Sequence, residues 1–146
     1  MKAKNSPKKK QSPSSNWNCD HQMMDIYRKG WALRYLREAK AELEAARKIP
    51  YMAPSLLIEA IRKARSAIYY SLGEPAFIEV LLREEAAKTP ASNDTLLRFF
   101  TEIEGAVQQL AQLEEVNDEA VMQQANTLVQ IASDIVETLT EEHLEN

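Results

Sequence analysis

The side chains best suited to metal binding or nucleophilic chemistry are one cysteine, Cys19, and two histidines, His21 and His143, in a chain of 146 residues. Neither histidine is spaced three or four residues from another histidine or from the cysteine, so we do not expect a zinc site. Three glycines leave no room for a phosphate-binding loop or a dinucleotide-binding fingerprint. We therefore predict no metal, no cofactor and no catalytic residue.

Paired carboxylates are the second candidate for chemistry. A di-iron site in a helical bundle requires Glu-x-x-His pairs, and the sequence has none. We expect the acids to lie on the surface, in helical pairs such as Arg34 with Glu38. The sequence favours a protein without enzymatic activity. The alternative is an active site built from carboxylates and Tyr69 or Tyr70 in an apolar pocket. The pairs are Glu38 with Glu42, Glu84 with Glu85, and Glu114 with Glu115.

Five segments have the periodicity of amphipathic helices. The first three are predicted over residues 20–48, from about Pro54 to Leu72, and from Pro75 to about Lys88. The last two follow Thr89-Pro90 and Asn117-Asp118. No segment alternates like a strand, and no apolar run is long enough for a membrane span. The fold class is therefore all-α, an up-and-down bundle of about five helices. The predicted core residues are Ala32, Leu36, Ala39, Leu43 and Ala46, then Leu57, Ile61, Ala64 and Ile68, then Leu96, Phe100, Ile103, Val107 and Leu110, and finally Val121, Ala125, Leu128, Ala132, Ile135 and Leu139.

Residues 1–16 differ from the rest in composition. They contain five lysines, no acidic residue and almost nothing apolar, so we predict a disordered basic tail before a bundle domain over residues 17–146. No apolar segment of the kind that a secretory signal contains follows the lysines. Together with the single cysteine, this predicts a cytoplasmic protein. The lysines are Lys2, Lys4, Lys8, Lys9 and Lys10.

Charge is unevenly distributed along the chain. The net charge is −4, but residues 99–146 carry 11 acids and no lysine or arginine, so residues 1–98 carry +7. One interpretation is that basic early helices pack on acidic late helices, within one chain or across a dimer. The alternatives are nucleic-acid binding and a solvated face without a role. The candidate basic face consists of Arg34, Arg37, Arg62, Lys63 and Arg65.

Five aromatic residues of the first two helices are candidates for the walls of a small-molecule or partner pocket between these helices. Tyr69 and Tyr70 are neighbours in the chain and cannot share one helix face, so one of them is expected to face a groove or a partner. The simpler alternative is that they are ordinary core aromatics, whose hydroxyls need partners when buried. The predicted ligand or partner groove is lined by Tyr27, Trp31, Tyr35, Tyr69 and Tyr70.

Two stretches, RYLREAKAELEAARK (34–48) and LLIEAIRKARSAIYYSLGEP (56–75), resemble the first two helices of HEPN domains. Active HEPN ribonucleases have an arginine four to six residues before a histidine on a later helix. Neither His21 nor His143 follows an arginine at that spacing. The resemblance thus implies a non-catalytic, dimer-forming bundle that binds a partner protein or a nucleotide.

These observations favour a non-enzymatic interaction module. We expect a homodimer that binds a partner protein through apolar helix faces, with the charged faces setting the orientation. The alternative is a nucleic-acid or nucleotide-binding accessory protein that uses the lysine-rich tail and the basic early helices.

Overall fold

In a computed structural model the chain is described for the backbone of residues 5–88 and 94–145 and for the side chains of residues 26–88 and 94–141. This part of the chain forms five helices and no strand, which confirms the all-α prediction. None of these helices, over the residues described, combines the length and the apolar content that crossing a membrane requires. The helices are α1 (Asn5–Lys48), α2 (Ala53–Leu72), α3 (Pro75–Lys88), α4 (Thr95–Ala111) and α5 (Glu119–Glu145).

Helix α1 is assigned from Asn5, well before the predicted start at residue 20. Its side chains before Ile26 lie outside the description, and the division into a tail over 1–16 and a domain over 17–146 stays a prediction. The side chains of Cys19, His21 and His143 also lie outside the described residues.

Side-chain contacts give the direction of each long helix. Trp31 lies against Tyr70, and further along α1 Glu42 lies against Lys63, so α1 and α2 are antiparallel. Helix α4 is also antiparallel to α2, and α5 begins at the end where α1 stops. At that end the N–H of Val116 donates to the carbonyl of Pro50, which joins the two interhelical loops. The helices α1, α2, α4 and α5 therefore alternate in direction.

Alanines line the interface between α1 and α2 at intervals of seven residues. Ala32, Ala39 and Ala46 follow one another in α1, and each is at most 2% exposed. The antiparallel register places each of them about level with an alanine of α2. The pairs are Ala32 with Ala67, Ala39 with Ala60, and Ala46 with Ala53. Small side chains on both sides let the two helices approach closely. We call these residues the alanine seam; they are Ala32, Ala39, Ala46, Ala53, Ala60 and Ala67.

The core of the second half departs from the predicted stripes by one position in places. In α4, Phe99 and Ala106 are buried, whereas the predicted Phe100 and Val107 are half-buried. The reason in α4 is that Phe100 stacks on Tyr69 at the side of α2, with ring centroids 5.4 Å apart. In α5 the buried stripe is wider than predicted and adds Met122, Val129 and Val136. The predicted residues of α1 and α2 are all buried.

Helix α3 lies on the side of the bundle. It touches α2 and α4, and none of its residues is buried. Its neighbour α4 starts with a capped turn, in which the Asp94 carboxylate accepts from the N–H of Leu97 at 3.0 Å. The core of the bundle is therefore formed by four helices, and α3 adds a peripheral layer to it.

The alanine seam predicts a strong effect of side-chain size. Ala39→Leu inserts three carbons where two helices touch, so we expect a loss of about 1–3 kcal/mol in the free energy of unfolding. Urea unfolding followed by circular dichroism measures it. Ala41→Leu is the control because Ala41 is exposed on the same helix, and its effect should stay below about 0.5 kcal/mol. Equal effects of the two substitutions would contradict close packing at the seam.

Candidate functional site

Four of the five predicted groove residues meet on one face of the α1–α2 hairpin. Trp31 stacks on Tyr70 with ring centroids 6.1 Å apart, and Tyr35 stacks on Tyr70 at 5.6 Å. Trp31 and Tyr35 are 5.8 Å apart, and Tyr27 meets Trp31 edge-on at 6.3 Å. The helical spacing explains this arrangement, because residues 27, 31 and 35 are one turn apart on α1. We call Tyr27, Trp31, Tyr35 and Tyr70 the aromatic cluster.

Tyr69 lies elsewhere. It turns toward α4 and stacks on Phe100, so it is not part of the aromatic cluster. Burial raises the pKa of both tyrosines above the ordinary value of 10.0. For Tyr70, the neighbouring Tyr35 acts in the same direction as burial. The two adjacent tyrosines therefore serve two interfaces, one with α1 and one with α4.

A chain of ion pairs continues from the aromatic cluster along the hairpin. The Arg34 guanidinium lies 4.9 Å above the Trp31 ring and donates to Glu38 at 3.0 Å. Lys63 of α2 then bridges Glu38 at 3.0 Å and Glu42 at 2.6 Å. Hydrogen bonds from Lys63 and Arg34 lower the pKa of Glu38 below 4.5, and Glu42 and Glu38 raise the pKa of Lys63. These ion pairs hold α2 in one rotational position about its own axis relative to α1.

The predicted basic face is largely neutralised by acids of the same chain. Arg34 and Lys63 belong to the ion-pair chain, and Arg65 donates to Glu104 of α4 at 2.6 Å. Arg37 and Arg62 are exposed. Arg65 with Glu104, and Arg47 with Glu119 at 3.9 Å, are pairs of a basic early helix with an acidic late helix. The expected complementarity of the two halves therefore occurs within one chain at these two contacts.

Helix α3 presents apolar side chains to solvent. At 100° per residue Phe77, Val80 and Leu81 fall on one side of the helix, and they are 61%, 52% and 42% exposed. Ile78 and Leu82 lie on the opposite side and are half-buried. We call Phe77, Val80 and Leu81 the outer stripe of α3. The sequence predicts a helix here but no role for these residues, because apolar residues occur all around α3 and do not reveal which side of the helix is free.

A cleft of about 400 Å³ lies between α4 and α5. Ile61 of α2 forms part of its floor, together with Ala106, Leu110 and Ala125, and all four are buried. The pocket predicted from the sequence would lie between the first two helices, where the alanine seam instead closes the interface. The cleft contains neither Tyr69 nor Tyr70. No sequence signal marks it, because its floor residues are those of an ordinary helix core.

Among the described side chains no three His, Cys, Asp or Glu residues come together as metal ligands would. No family model, curated protein or solved structure matches this chain. The resemblance to HEPN domains stays a prediction. The candidate functional sites are thus the aromatic cluster with its ion-pair chain, the outer stripe of α3 and the α4–α5 cleft.

The ion-pair chain predicts a specific dependence of stability on pH. The folded-state pKa of Glu38 is lowered, so its pairing stabilises the fold above about pH 4.5 and is lost as the pH falls through the folded-state pKa. Lys63→Met removes the largest cause of that lowering. The difference in unfolding free energy between the wild type and this variant should shrink as the pH falls below about 4.5.

Arg62→Met is the matched control for this measurement, because it removes a neighbouring positive charge from an exposed position. The effect of Arg62→Met on the unfolding free energy, measured by urea unfolding, should vary much less over the same pH range. If both variants show the same dependence on pH, the bridge of Lys63 to Glu38 does not stabilise the fold.

Proposed function

We propose that this chain is a non-enzymatic helical interaction module that forms a homodimer through the outer stripe of α3. The observation that carries the proposal is the exposure of Phe77, Val80 and Leu81 on a helix with no buried residue. Water contact with three large apolar side chains on one helix face is unfavourable, and a partner helix removes it. Single exposed apolar residues are common, but a contiguous stripe at helical spacing is typical of an interface.

The charges of α3 favour a second copy of the chain as the partner. Glu74 directly precedes the helix and Lys88 ends it, and both lie on the side of the outer stripe, as does the exposed Glu84. Two α3 helices packed antiparallel about a twofold axis place Glu74 of each chain near Lys88 of the other. Opposite charges at the two ends then set the antiparallel direction, while the apolar residues supply the binding energy. A helix of 14 residues buries little area, so we expect a weak dimer.

Nucleic-acid binding by the basic face has less support. Arg34, Lys63 and Arg65 are already paired with Glu38, Glu42 and Glu104, so binding phosphates requires breaking these pairs. Such competition weakens the electrostatic attraction on which non-specific nucleic-acid binding depends.

Light scattering after size exclusion tests the dimer. The wild type should shift from monomer to dimer as its concentration rises through the micromolar range. Phe77→Glu and Leu81→Glu should remain monomeric, because each places a charge in the apolar interface. Tyr51→Glu is the control, since Tyr51 is 72% exposed in the loop between α1 and α2 and should leave the dimer intact.

A charge exchange tests the antiparallel direction. Lys88→Glu should weaken the dimer, and adding Glu74→Lys to it should restore the dimer, because the exchanged charges meet again in the antiparallel arrangement. A strict monomer throughout the micromolar range would overturn the proposed dimer. A dimer that Phe77→Glu leaves unchanged would place the interface elsewhere.

A further inference from the structure

The α4–α5 cleft has the dimensions of a small-molecule site. Helices α4 and α5 both pack on α2, and the space between them has a volume of about 400 Å³. Ligand pockets in proteins commonly measure about 300–1,000 Å³. Buried Ile61, Ala106, Leu110 and Ala125 close the bottom of the cleft and are at most 4% exposed. The apolar surface open to a ligand belongs to Leu113, which is 42% exposed, and to half-buried Val121. An apolar group that binds here covers these two side chains.

The mouth of the cleft is polar and uncharged. Gln109 of α4 and Gln124 of α5 line it and are exposed. Their amides both donate and accept hydrogen bonds, and none of the lining side chains is charged. A ligand that enters the cleft therefore keeps its polar end at the mouth, next to these amides.

The surrounding charge distinguishes between possible polar ends. All lining residues except Ile61 belong to residues 99–146, which contain no lysine or arginine, and Glu114 and Glu115 directly follow the cleft residue Leu113. Only two of the 11 acids in this stretch, Glu104 and Glu119, are paired with arginines of the early helices at the contacts described above, so the net charge there is negative and attracts cations. We infer that the α4–α5 cleft binds a small molecule with an apolar body and a cationic head group, the body resting on Leu113 and Val121 and the head group at the glutamines.

Three probes with one apolar body and different head groups test this inference. Octyltrimethylammonium, octanol and octanoate are titrated into the full-length chain, and methyl resonances are followed by NMR. Octyltrimethylammonium should bind most tightly and octanoate most weakly. The shifts should concentrate on Ile61, Leu110 and Val121, which line the cleft.

Adjacent glutamines provide matched variants. Gln109 and Gln124 line the cleft, whereas their chain neighbours Gln108 and Gln123 are exposed and do not line it. Gln124→Lys should weaken binding of octyltrimethylammonium on the order of tenfold and strengthen binding of octanoate, because it adds a positive charge at the mouth. Gln123→Lys changes the net charge equally and should alter both affinities much less. The pair Gln109→Lys and Gln108→Lys repeats the comparison on α4.

Filling the cleft is the second test. Ala125→Met extends a floor side chain and should abolish binding of all three probes, while circular dichroism verifies that the fold is retained. Absence of saturable binding, equal effects of Gln123→Lys and Gln124→Lys, or shifts confined to the aromatic cluster would each overturn the inference. The monomeric variant Phe77→Glu should bind octyltrimethylammonium as the wild type does, so the outcome does not depend on the proposed dimer.

Discussion

The close approach of α1 and α2 is the constraint on which the rest of the bundle depends. The alanine seam places six nearly inaccessible methyl groups between the two helices, and larger side chains there would push the helices apart. The same approach brings Lys63 within reach of Glu38 and Glu42 and stacks Tyr70 on Trp31 and Tyr35. The seam, the ion-pair chain and the aromatic cluster therefore specify one register of the hairpin.

Helix α2 is the shared partner of α1, α4 and α5, and α3 packs on α2 and α4. Helix α3 begins after Gly73, where Ile78 folds back so closely that a β-carbon on Gly73 would lie 3.3 Å from its Cδ1 atom. This contact keeps the half-buried side of α3 against the bundle and turns Phe77 outward. The outer stripe is thus exposed because it lies on the side of α3 that faces away from the bundle.

The spacing of apolar residues predicted much of this architecture. The five core residues predicted for α1 and the four for α2 are buried, because a 4-3 repeat places them along one side of each helix, and that side faces the bundle. The predictions for α4 and α5 were less accurate, since these helices also face a cleft and Tyr69. Sequence periodicity could not show that Tyr69 and Tyr70 serve different neighbours, nor which side of α3 is free. Both depend on where other helices lie.

Alanine has opposite effects in the two halves of the bundle. In α1 and α2, the alanines of the two helices lie about level with each other, so the helices close on each other. Ala106 and Ala125 lie on helices that both rest on α2, where Ile61 extends into the floor between them. Helices held apart by a larger side chain cannot close over small ones, and the glutamines at the mouth are too polar to fill an apolar floor. Ala106 and Ala125 are themselves only 4% and 2% exposed, so the cleft opens above them, and the supporting helix α2 decides how closely α4 and α5 approach each other.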